Sequence, residues 1–226
     1  MKTTLTLPAA LIFDMDGVLV DSNPFHLQKM VDLLTEHRIA FNPDELPMQV
    51  LGQRNDTIFR HFFGPQISTE ESRNLSEELE ARFRQTFRPH ARPLPGLTEL
   101  VAECDAAGVR MAVASSAMRK NVEFVVEALG FGRYFHHLVS GDEVSHAKPD
   151  PEIYLKSAEK LGLEPGSCVA FEDSFPGIEA AKRAGMKCVG IASTFPFEEL
   201  REKTGVDWVV RSFREVSLSK LRELFR

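Results

Sequence analysis

The sequence predicts an α/β protein: a parallel, doubly wound sheet with an all-helical segment inserted after the first strand. Two observations lead to this fold class. Beyond residue 97, short apolar stretches of strand length alternate with stretches of helical spacing, which is the pattern of a parallel sheet covered by helices. Residues 22–87, by contrast, carry apolar residues at helical spacing and no strand, although an apolar strand precedes them.

The first strand is predicted over Ala9–Phe13, an apolar run that ends on an aspartate. A helical segment follows it. The stretch RPHARPLPG, residues 88–96, then brings three prolines and a glycine, which is typical of a linker or hinge. We therefore predict a cap domain over residues 21–90. Its predicted helices are Asn23–His37, Asn55–Phe63 and Ser68–Phe87.

After the linker, helices and strands alternate to the end of the sheet. The first strand shares the apolar character of these later strands and belongs with them. The core domain is therefore predicted to comprise residues 1–20 and 91–226. The predicted helices are Leu97–Ala107, Asn121–Leu129, Pro151–Leu161 and Gly177–Ala184. The predicted strands are Met111–Ala114, His137–Val139, Cys168–Phe171 and Cys188–Ala192.

Composition and charge exclude several function classes. The formal net charge of −6 and the lack of a long basic run argue against a nucleic-acid partner. No stretch approaches the roughly 20 apolar residues of a membrane span, and the N-terminus lacks the features of a signal peptide. Cys104, Cys168 and Cys188 show no metal-binding or pairing spacing, which indicates a reducing compartment. We expect a cytoplasmic protein, with a monomer as the default for this size.

Polar residues follow four of the predicted strands. Because ligands of doubly wound sheets bind at the carboxyl ends of the strands, we expect these residues to meet at one edge. Together they offer carboxylates, hydroxyls and an ammonium group, a set that suits a phosphate bound with a divalent cation. In strand order they are Asp14 and Asp16, then Ser115 and Ser116, then Lys148, then Glu172 and Asp173.

Asp14 is the candidate nucleophile, because a carboxylate can attack phosphorus and form an aspartyl-phosphate. Asp16, two residues further on, is the candidate general acid and base for the leaving oxygen and the incoming water. Lys148 would neutralise the remaining negative charge and steady Asp14. Ser115, with the backbone amides around Asp16 and Ser116, would hold the phosphoryl oxygens as they gain charge.

Hard oxygen ligands at this edge predict Mg²⁺ as the cofactor. Its predicted ligands are Asp14, Glu172 and Asp173, with a backbone carbonyl at Asp16. Gly17 would let the backbone turn sharply beside them.

Each of these residues also has a simpler structural interpretation. Asp16 could bond its own backbone in a turn, Ser115 could cap a helix, and Lys148 could be a solvated lysine. Glu172-Asp173-Ser174 could likewise cap the following helix. Their occurrence together at successive strand ends favours chemistry over four independent structural roles.

Four segments resemble the motifs of the haloacid dehalogenase-like hydrolase superfamily, in the group of β-phosphoglucomutase and related sugar-phosphate phosphatases. They are FDMDGVLVDS, VASSA, AKPDPEIY and FEDSFPGIEAAKRAG. The resemblance covers nearly the whole chain and implies a Rossmann-like core with a helical cap after the first strand. It also implies Mg²⁺, an aspartyl-phosphate on Asp14 and general acid/base catalysis by Asp16.

Three cap residues become candidates for substrate binding through this resemblance, beside Gly17 and Ser116 of the core. His26 matches a histidine of the mutases near the hinge, although a histidine on a surface helix is an equally simple interpretation. Gly52 and Arg54 lie in LGQRNDTIF, which aligns with the cap loop that meets substrate in the family. Gly52 would form a tight turn, and Arg54 would offer its guanidinium to an anion.

The cap departs from the mutase pattern in two ways. The arginine stands two positions after Gly52, whereas those mutases tend to place it three positions after. The lysine of their long second cap helix has no clear counterpart, since Glu77, Glu78 and Glu80 occupy that region. A mutase must hold a second phosphate in the cap, and that calls for two basic groups.

The sequence therefore predicts a Mg²⁺-dependent phosphatase or phosphotransferase that acts on small phosphorylated metabolites, sugar phosphates in particular. β-Phosphoglucomutase is the alternative. A phospho-acceptor signalling domain would place similar groups at its strand ends, but receiver domains are much shorter and lack the helical insertion. A catalytically idle scaffold has no support, because no motif position is lost.

Overall fold

The computed structural model describes residues 7–225, and its core is a six-stranded sheet in which all neighbouring strands are parallel. The strand order is β3-β2-β1-β4-β5-β6, so the chain winds from the centre to one edge and then from the centre to the other. This confirms the predicted fold class. The strands are β1 Ala10–Phe13, β2 Arg110–Ala114, β3 His137–Val139, β4 Cys168–Glu172, β5 Lys187–Ile191 and β6 Trp208–Val210.

The central strand β1 contributes to an apolar layer on each side of the sheet. Leu11 and Phe13 belong to one cluster of buried side chains, whereas Ala10 and Ile12 belong to the other. Successive residues of a strand face opposite sides of a sheet, so a strand covered on both faces needs an uninterrupted apolar run. This physical requirement explains why the run that ends at Asp14 was recognisable in the sequence.

Helices pack against both apolar layers and also build the insertion between β1 and β2. Residues of α5, α6 and α10 join one layer, and residues of α7, α8 and α9 join the other. The core helices are α5 Leu97–Ala106, α6 Arg119–Ala128, α7 Glu152–Leu161, α8 Phe175–Arg183, α9 Phe197–Lys203 and α10 Leu218–Leu221. The inserted helices are α1 Asn23–Glu36, α2 Leu46–Val50, α3 Asn55–Phe63 and α4 Thr69–Phe87.

The inserted helices form a cap with an apolar cluster of its own, which includes Met30, Phe59 and Leu79. The two connections between cap and core run side by side, because Val20 forms an antiparallel bridge with Pro93. The backbone amide of Leu94 also donates to the carbonyl of Leu19 at 3.0 Å. A paired connection suits a hinge. The division into residues 1–20 with 91–226 and residues 21–90 stays a prediction.

Element boundaries differ from the predicted ones by at most two residues, but four short elements were not predicted. These are α2, α9, β6 and α10, of which α10 has four residues and β6 has three. Elements this short contain too few residues to display a helical or strand periodicity, and their conformation depends on the surface they pack against. In the described part of the chain, no helix combines the length and apolar character needed to cross a membrane.

Candidate active site

The predicted polar residues meet at the carboxyl edge of the sheet. β2, β1 and β4 are neighbours in register, since Phe13 pairs with Val113 on one side and with Phe171 on the other. Asp14 continues β1, and its backbone amide donates to the carbonyl of Phe171 at 2.9 Å. Ser115 directly follows β2, while Glu172 ends β4 and Asp173 follows it. The register therefore brings carboxylates that are far apart in the sequence into contact.

Lys148 is the central cation of this edge, and its side chain is only 2% exposed. Its Nζ donates to Asp14 Oδ1 at 2.6 Å, to Glu172 Oε1 at 2.6 Å and to the carbonyl of Ala114 at 3.3 Å. Burial alone would lower the pKa of Lys148, but the charges of Asp14 and Glu172 outweigh it and raise that pKa above its usual range. Lys148 is therefore a fixed ammonium that joins two carboxylates.

Glu172 is fully buried and held from both sides. The Tyr154 hydroxyl donates to its Oε1 at 2.6 Å, beside Lys148. Its other oxygen, Oε2, accepts from the Ser174 hydroxyl at 3.1 Å and from the Asp173 amide at 3.2 Å. A Cβ on Gly177 would stand 2.0 Å from this carboxylate, so the start of α8 lies directly against it. Glu172 thus has a single orientation.

Negative charge exceeds positive charge at this edge. Burial raises the pKa of Asp14 well above its ordinary value, with further contributions from the neighbouring carboxylates and an opposing one from Lys148. Burial, followed by the charge of Glu172, raises the pKa of Asp173 to about 8. One ammonium therefore does not balance the carboxylates that face it.

A divalent cation fits this imbalance. Carboxylate oxygens of Asp14, Glu172 and Asp173 lie within 4.8 Å of one another, as ligands of one metal ion would. Hard oxygen donors of this kind suit Mg²⁺. The Asp16 carboxylate lies outside this group and bonds to other side chains. Asp16 could therefore contact the cation only through its backbone carbonyl, as predicted for the fourth ligand.

Two residues that the sequence analysis did not single out orient Asp173. The Asn23 amide donates to Asp173 Oδ2 at 2.9 Å, and the Thr194 hydroxyl donates to the same oxygen. Asn23 opens the first cap helix, whereas Thr194 follows β5. Reading the residues after the fifth strand as strand-end residues would have found Thr194. No local signal in the sequence pointed to Asn23.

Asp16 lies on the cap side of the edge. Its Oδ1 accepts a hydrogen bond from the Ser22 hydroxyl at 2.5 Å and lies 3.0 Å from His26 Nε2. Burial would raise the pKa of Asp16, but the charge and hydrogen bond of His26 and the bond from Ser22 hold it below its ordinary value. The structure thus places His26, predicted as a substrate-binding residue, in contact with the predicted general acid and base.

His26 itself is packed on the cap. Its ring stacks on Phe83 with 4.0 Å between centroids. Burial would lower the pKa of His26, but Asp16 and, more weakly, Glu80 raise it. Asp16 and His26 therefore form a close pair, with 3.0 Å between Asp16 Oδ1 and His26 Nε2.

Gly17 makes space for the carboxylate of Asp173. Its φ is +74°, and a Cβ at this position would stand 1.9 Å from Asp173 Oδ2. Its predicted role in substrate binding gains no support, because its amide donates to the carbonyl of Val20 at 2.8 Å. The requirement for glycine here is steric.

Replacing Gly17 with alanine is expected to destabilise the protein more than the same change at Gly108. Gly108 also has a positive φ, +70°, but a Cβ there meets nothing within 4 Å. Gly108→Ala should therefore cost about 1 kcal/mol of backbone strain. Gly17→Ala should cost about 1–3 kcal/mol more, because the methyl group displaces Asp173. Urea unfolding measures both free energies, and equal losses would contradict this account.

Ser115 and Ser116 line the cleft between the sheet edge and the cap. Ser115 is 1% exposed, and its Oγ accepts from the Ala117 amide at 3.1 Å. This bond leaves the hydroxyl proton of Ser115 available to a phosphoryl oxygen. The Ser116 hydroxyl instead donates to the carbonyl of Gly52 at 3.3 Å, so it contacts the cap.

The cap loop reaches the core through its glycine and its arginine. Gly52 has a φ of +78°, and a Cβ there would stand 2.9 Å from Ser174 Oγ. Arg54 donates to the carbonyl of Val144 at 3.1 Å and pairs with Asp56 at 3.2 Å. Both residues line the cleft as predicted, but the guanidinium of Arg54 already has two partners. In this arrangement the cap rests on the core.

The cleft encloses a cavity of about 680 Å³ between the sheet edge and the cap. That volume is within the range of sites for small metabolites. Its floor carries Asp14, Asp16, Ser115 and Asp173, and its roof includes residues of α3 and α4. A small phosphorylated molecule would contact both domains at once.

Comparison with known proteins agrees with this geometry. A family model described as haloacid dehalogenase-like hydrolase matches residues 11–191. The chain belongs to the haloacid dehalogenase-like hydrolase family, as the motifs predicted. A crystal structure of a family hydrolase from Entamoeba histolytica superposes with a TM-score of 0.86 at 26% identity, over 95% of this chain and 98% of that chain.

Curated relatives include phosphatases. Hexitol phosphatase B of Escherichia coli (strain K12) is 34% identical over 182 residues, which cover 80% of this chain and 82% of that protein. A longer relative, the chloroplast protein SUPPRESSOR OF QUENCHING 1 of Arabidopsis thaliana, is 31% identical over 222 residues. The match covers 94% of this chain and only 20% of that protein. The chain is a phosphoric monoester hydrolase, in agreement with the predicted enzyme class.

Proposed function

We propose that this enzyme hydrolyses phosphate monoesters of small hydroxylated metabolites, sugar phosphates in particular, through an aspartyl-phosphate on Asp14 and with Mg²⁺. The observation that supports this most directly is the position of Lys148. It lies 2.6 Å from both Asp14 and Glu172, beneath a cavity that the cap covers. An ammonium here steadies the nucleophile and offsets charge that a phosphate would otherwise meet.

Asp14, Glu172 and Asp173 would hold Mg²⁺, with the backbone carbonyl of Asp16. When bound, Mg²⁺ neutralises part of the charge on the phosphoryl group and so lets a carboxylate approach phosphorus. The protein's part is to keep the ligands in place. Asn23 and Thr194 orient Asp173, while Lys148 and Tyr154 orient Glu172.

In the first step, a carboxylate oxygen of Asp14 attacks phosphorus and forms an aspartyl-phosphate. The bond between phosphorus and the ester oxygen breaks, and the leaving oxygen takes a proton from Asp16, which lies 3.0 Å from His26. Lys148 stays bound to Asp14 Oδ1. The Ser115 hydroxyl donates to a phosphoryl oxygen as that oxygen gains charge.

In the second step, water attacks the phosphorus of the aspartyl-phosphate while Asp16 accepts its proton. The bond to the Asp14 oxygen breaks, which restores the carboxylate and releases inorganic phosphate. The proton taken in this step replaces the one given in the first. Water and ester are therefore converted to alcohol and phosphate with the enzyme unchanged.

The cap would close over the reacting groups and exclude bulk water during transfer. The contacts of Gly52 with Ser174, of Ser116 with Gly52, and of Arg54 with Val144 support a closed arrangement. We predict that the hinges lie near Val20–Asp21 and in residues 88–95, where the paired connections run.

The mutase alternative is not favoured by the cavity wall. A second phosphate would face α4, and this helix presents Glu77, Glu80 and the exposed Arg73 to the cavity, but no lysine. Arg54, the basic group of the cap loop, is already paired with Asp56. A monomeric state, a cytoplasmic location and the lack of a nucleic-acid partner stay predictions.

The proposal predicts that hydrolysis of p-nitrophenyl phosphate requires Mg²⁺ and stops in EDTA. Saturating Mg²⁺ should also raise the thermal midpoint by about 5 °C or more, because it binds only the folded site. Asp173→Asn should lose both effects. Asp150→Asn is the matched control, because Asp150 belongs to a second, more exposed carboxylate group with His146 and Glu152.

Phosphate release that persists undiminished in EDTA would contradict the metal assignment. The same assay with β-glucose 1-phosphate and a trace of its bisphosphate tests the alternative function, β-phosphoglucomutase. Formation of glucose 6-phosphate in place of inorganic phosphate would favour the mutase.

A further inference from the structure

One buried charged residue has no role in the mechanism above. Most of the charged side chains buried within residues 7–225 lie at the strand ends. The exception, Glu80, lies on the cap helix α4, is 6% exposed and lines the substrate cavity. The full set is Asp14, Glu80, Lys148, Glu172 and Asp173.

Glu80 is held by amides and by no cation. Asn55 of the cap donates to its Oε1 at 2.8 Å, and Asn121 of the core donates to its Oε2 at 2.5 Å. Arg84 lies one turn along the helix, but it donates to the Asn121 Oδ1 at 2.5 Å. Among the described residues, the ion pairs do not include Glu80. Both carboxylate oxygens of Glu80 therefore have amide partners in the cavity wall and keep lone pairs for further donors.

Glu80 stands near the side of the cavity where the leaving group departs. Phe83, on the next turn of α4, stacks on His26, and His26 contacts Asp16, the proposed proton donor to the leaving oxygen. With Asp16 as its proton donor, the alcohol part of a bound ester would lie in the part of the cavity that Asp16 and Glu80 both line. Its substituents must be compatible with a fixed carboxylate.

The rest of this wall is neutral or exposed. Ser72 and Ser76 precede Glu80 at four-residue intervals and line the cavity with it. Arg73 is exposed at the rim, and Arg54 is paired with Asp56. Arg119 and Lys120 of α6 also line the cavity, but Arg119 pairs with Glu123 and Lys120 is exposed. The wall beside Glu80 thus offers acceptors for hydroxyl groups, and the carboxylate of Glu80 disfavours an anion next to it.

We infer that Glu80 selects esters whose leaving alcohol carries hydroxyl groups and no negative charge. Polyol and sugar monophosphates meet this condition, whereas sugar-acid phosphates and bisphosphates do not. This inference rests on the proposed function and narrows its substrate class. Specificity against the anions comes from repulsion by the Glu80 carboxylate, which costs an anionic competitor more than it costs a hydroxylated substrate.

The test compares two six-carbon substrates of nearly equal shape, sorbitol 6-phosphate and 6-phosphogluconate, which differ by one terminal carboxylate. Wild-type enzyme in Mg²⁺ should prefer sorbitol 6-phosphate in kcat/KM by about tenfold or more. Glu80→Gln should reduce that ratio by about tenfold. Glu80→Asp, which keeps the charge, should keep the preference for the neutral substrate.

Glu78→Gln is the matched control. It removes the same charge from the same helix, but Glu78 is 57% exposed and pairs with Arg82 outside the cavity. For Glu78→Gln, the ratio of kcat/KM for sorbitol 6-phosphate to that for 6-phosphogluconate should stay within about twofold of the wild-type ratio. A role of Glu80 in holding the cap alone would change both substrates equally and leave the ratio unmoved.

If wild type releases no phosphate from either ester or from p-nitrophenyl phosphate, the proposed function fails. If wild type hydrolyses both six-carbon esters equally well, or Glu80→Gln keeps the wild-type ratio, the inference fails and the proposed function stands. Should Glu80→Gln not fold, Ser76→Asp adds a carboxylate one turn earlier on the same wall. It should widen the ratio about tenfold, and an unchanged ratio would overturn the inference.

Discussion

Replacing Asp14 with asparagine is expected to lower kcat for p-nitrophenyl phosphate by a factor on the order of 10⁴, because the amide has no charged oxygen to attack phosphorus. The fold should survive. In the wild type, Lys148 donates to Asp14 Oδ1 at 2.6 Å, and an asparagine would still offer an Oδ1 acceptor. The substitution also removes one negative charge from a sheet edge where carboxylates outnumber cations. Steady-state kinetics and urea unfolding measure the two effects.

The variant Asp16→Asn distinguishes the role of the proton donor from that of the nucleophile. p-Nitrophenolate leaves without much need of protonation, so this variant should complete the first step and fail in the second. Stopped-flow absorbance should then show a burst of about one equivalent of p-nitrophenolate per enzyme, followed by slow turnover. Asp14→Asn should show no burst. Hydrolysis by Asp14→Asn at the wild-type rate would overturn the mechanism.

Replacing Lys148 with methionine is expected to destabilise the protein by about 3–5 kcal/mol at neutral pH in EDTA, because it leaves buried carboxylates without a cation. Asp14 and Glu172 both lie 2.6 Å from its ammonium, and neither can reach water easily. Activity should fall as well. Urea unfolding with and without EDTA measures the loss, and Mg²⁺ should recover part of it.

The loss of stability in Lys148→Met should become smaller as the pH falls. Lys148 is what lowers the pKa of Asp14, so its removal raises that pKa further above the value in the unfolded chain. A carboxyl group with a raised folded pKa opposes folding at pH values above its unfolded pKa, about 4, and stops doing so when it is protonated. The penalty of Lys148→Met should therefore shrink as the pH falls from 7 towards 4.

Lys160→Met provides the control for Lys148→Met. Its ammonium pairs with Glu143, and its side chain is 31% exposed. The loss of such a partly exposed pair should cost less than about 1 kcal/mol, with little difference in the presence of Mg²⁺. Similar losses for the two variants would show that Lys148 has no special electrostatic role.

The fold was predictable because a parallel sheet covered on both sides needs apolar strands separated by amphipathic helices. The runs at Ala10–Phe13 and Cys168–Glu172 carry this pattern without reference to any partner. The short elements β6 and α10 show no such pattern, because their conformation depends on the surface against which they pack. The local sequence pattern was therefore enough to predict the core strands, but it did not predict β6 and α10.

The residues that meet at the candidate site were predictable for a related reason. Asp14, Lys148 and Asp173 each follow a strand of one parallel sheet, and such strands end at the same edge. Their types then pointed to phosphate and a hard cation. The groups that hold them in place were missed, since Asn23, Thr194 and the Tyr154 hydroxyl reach the site from separate segments.

The sequence by itself determined the parallel α/β core, the helical insertion, the family and the polar residues that gather at the carboxyl edge of the sheet. These follow from periodicity and from residue types at strand ends, which are properties of single segments. The tertiary structure alone decided that Gly17 makes room for Asp173, that Arg54 donates to the carbonyl of Val144 in the core, and that Glu80 lines the cavity between core and cap. Such facts depend on distances between segments remote in the chain, and those distances are set only when the cap packs on the core.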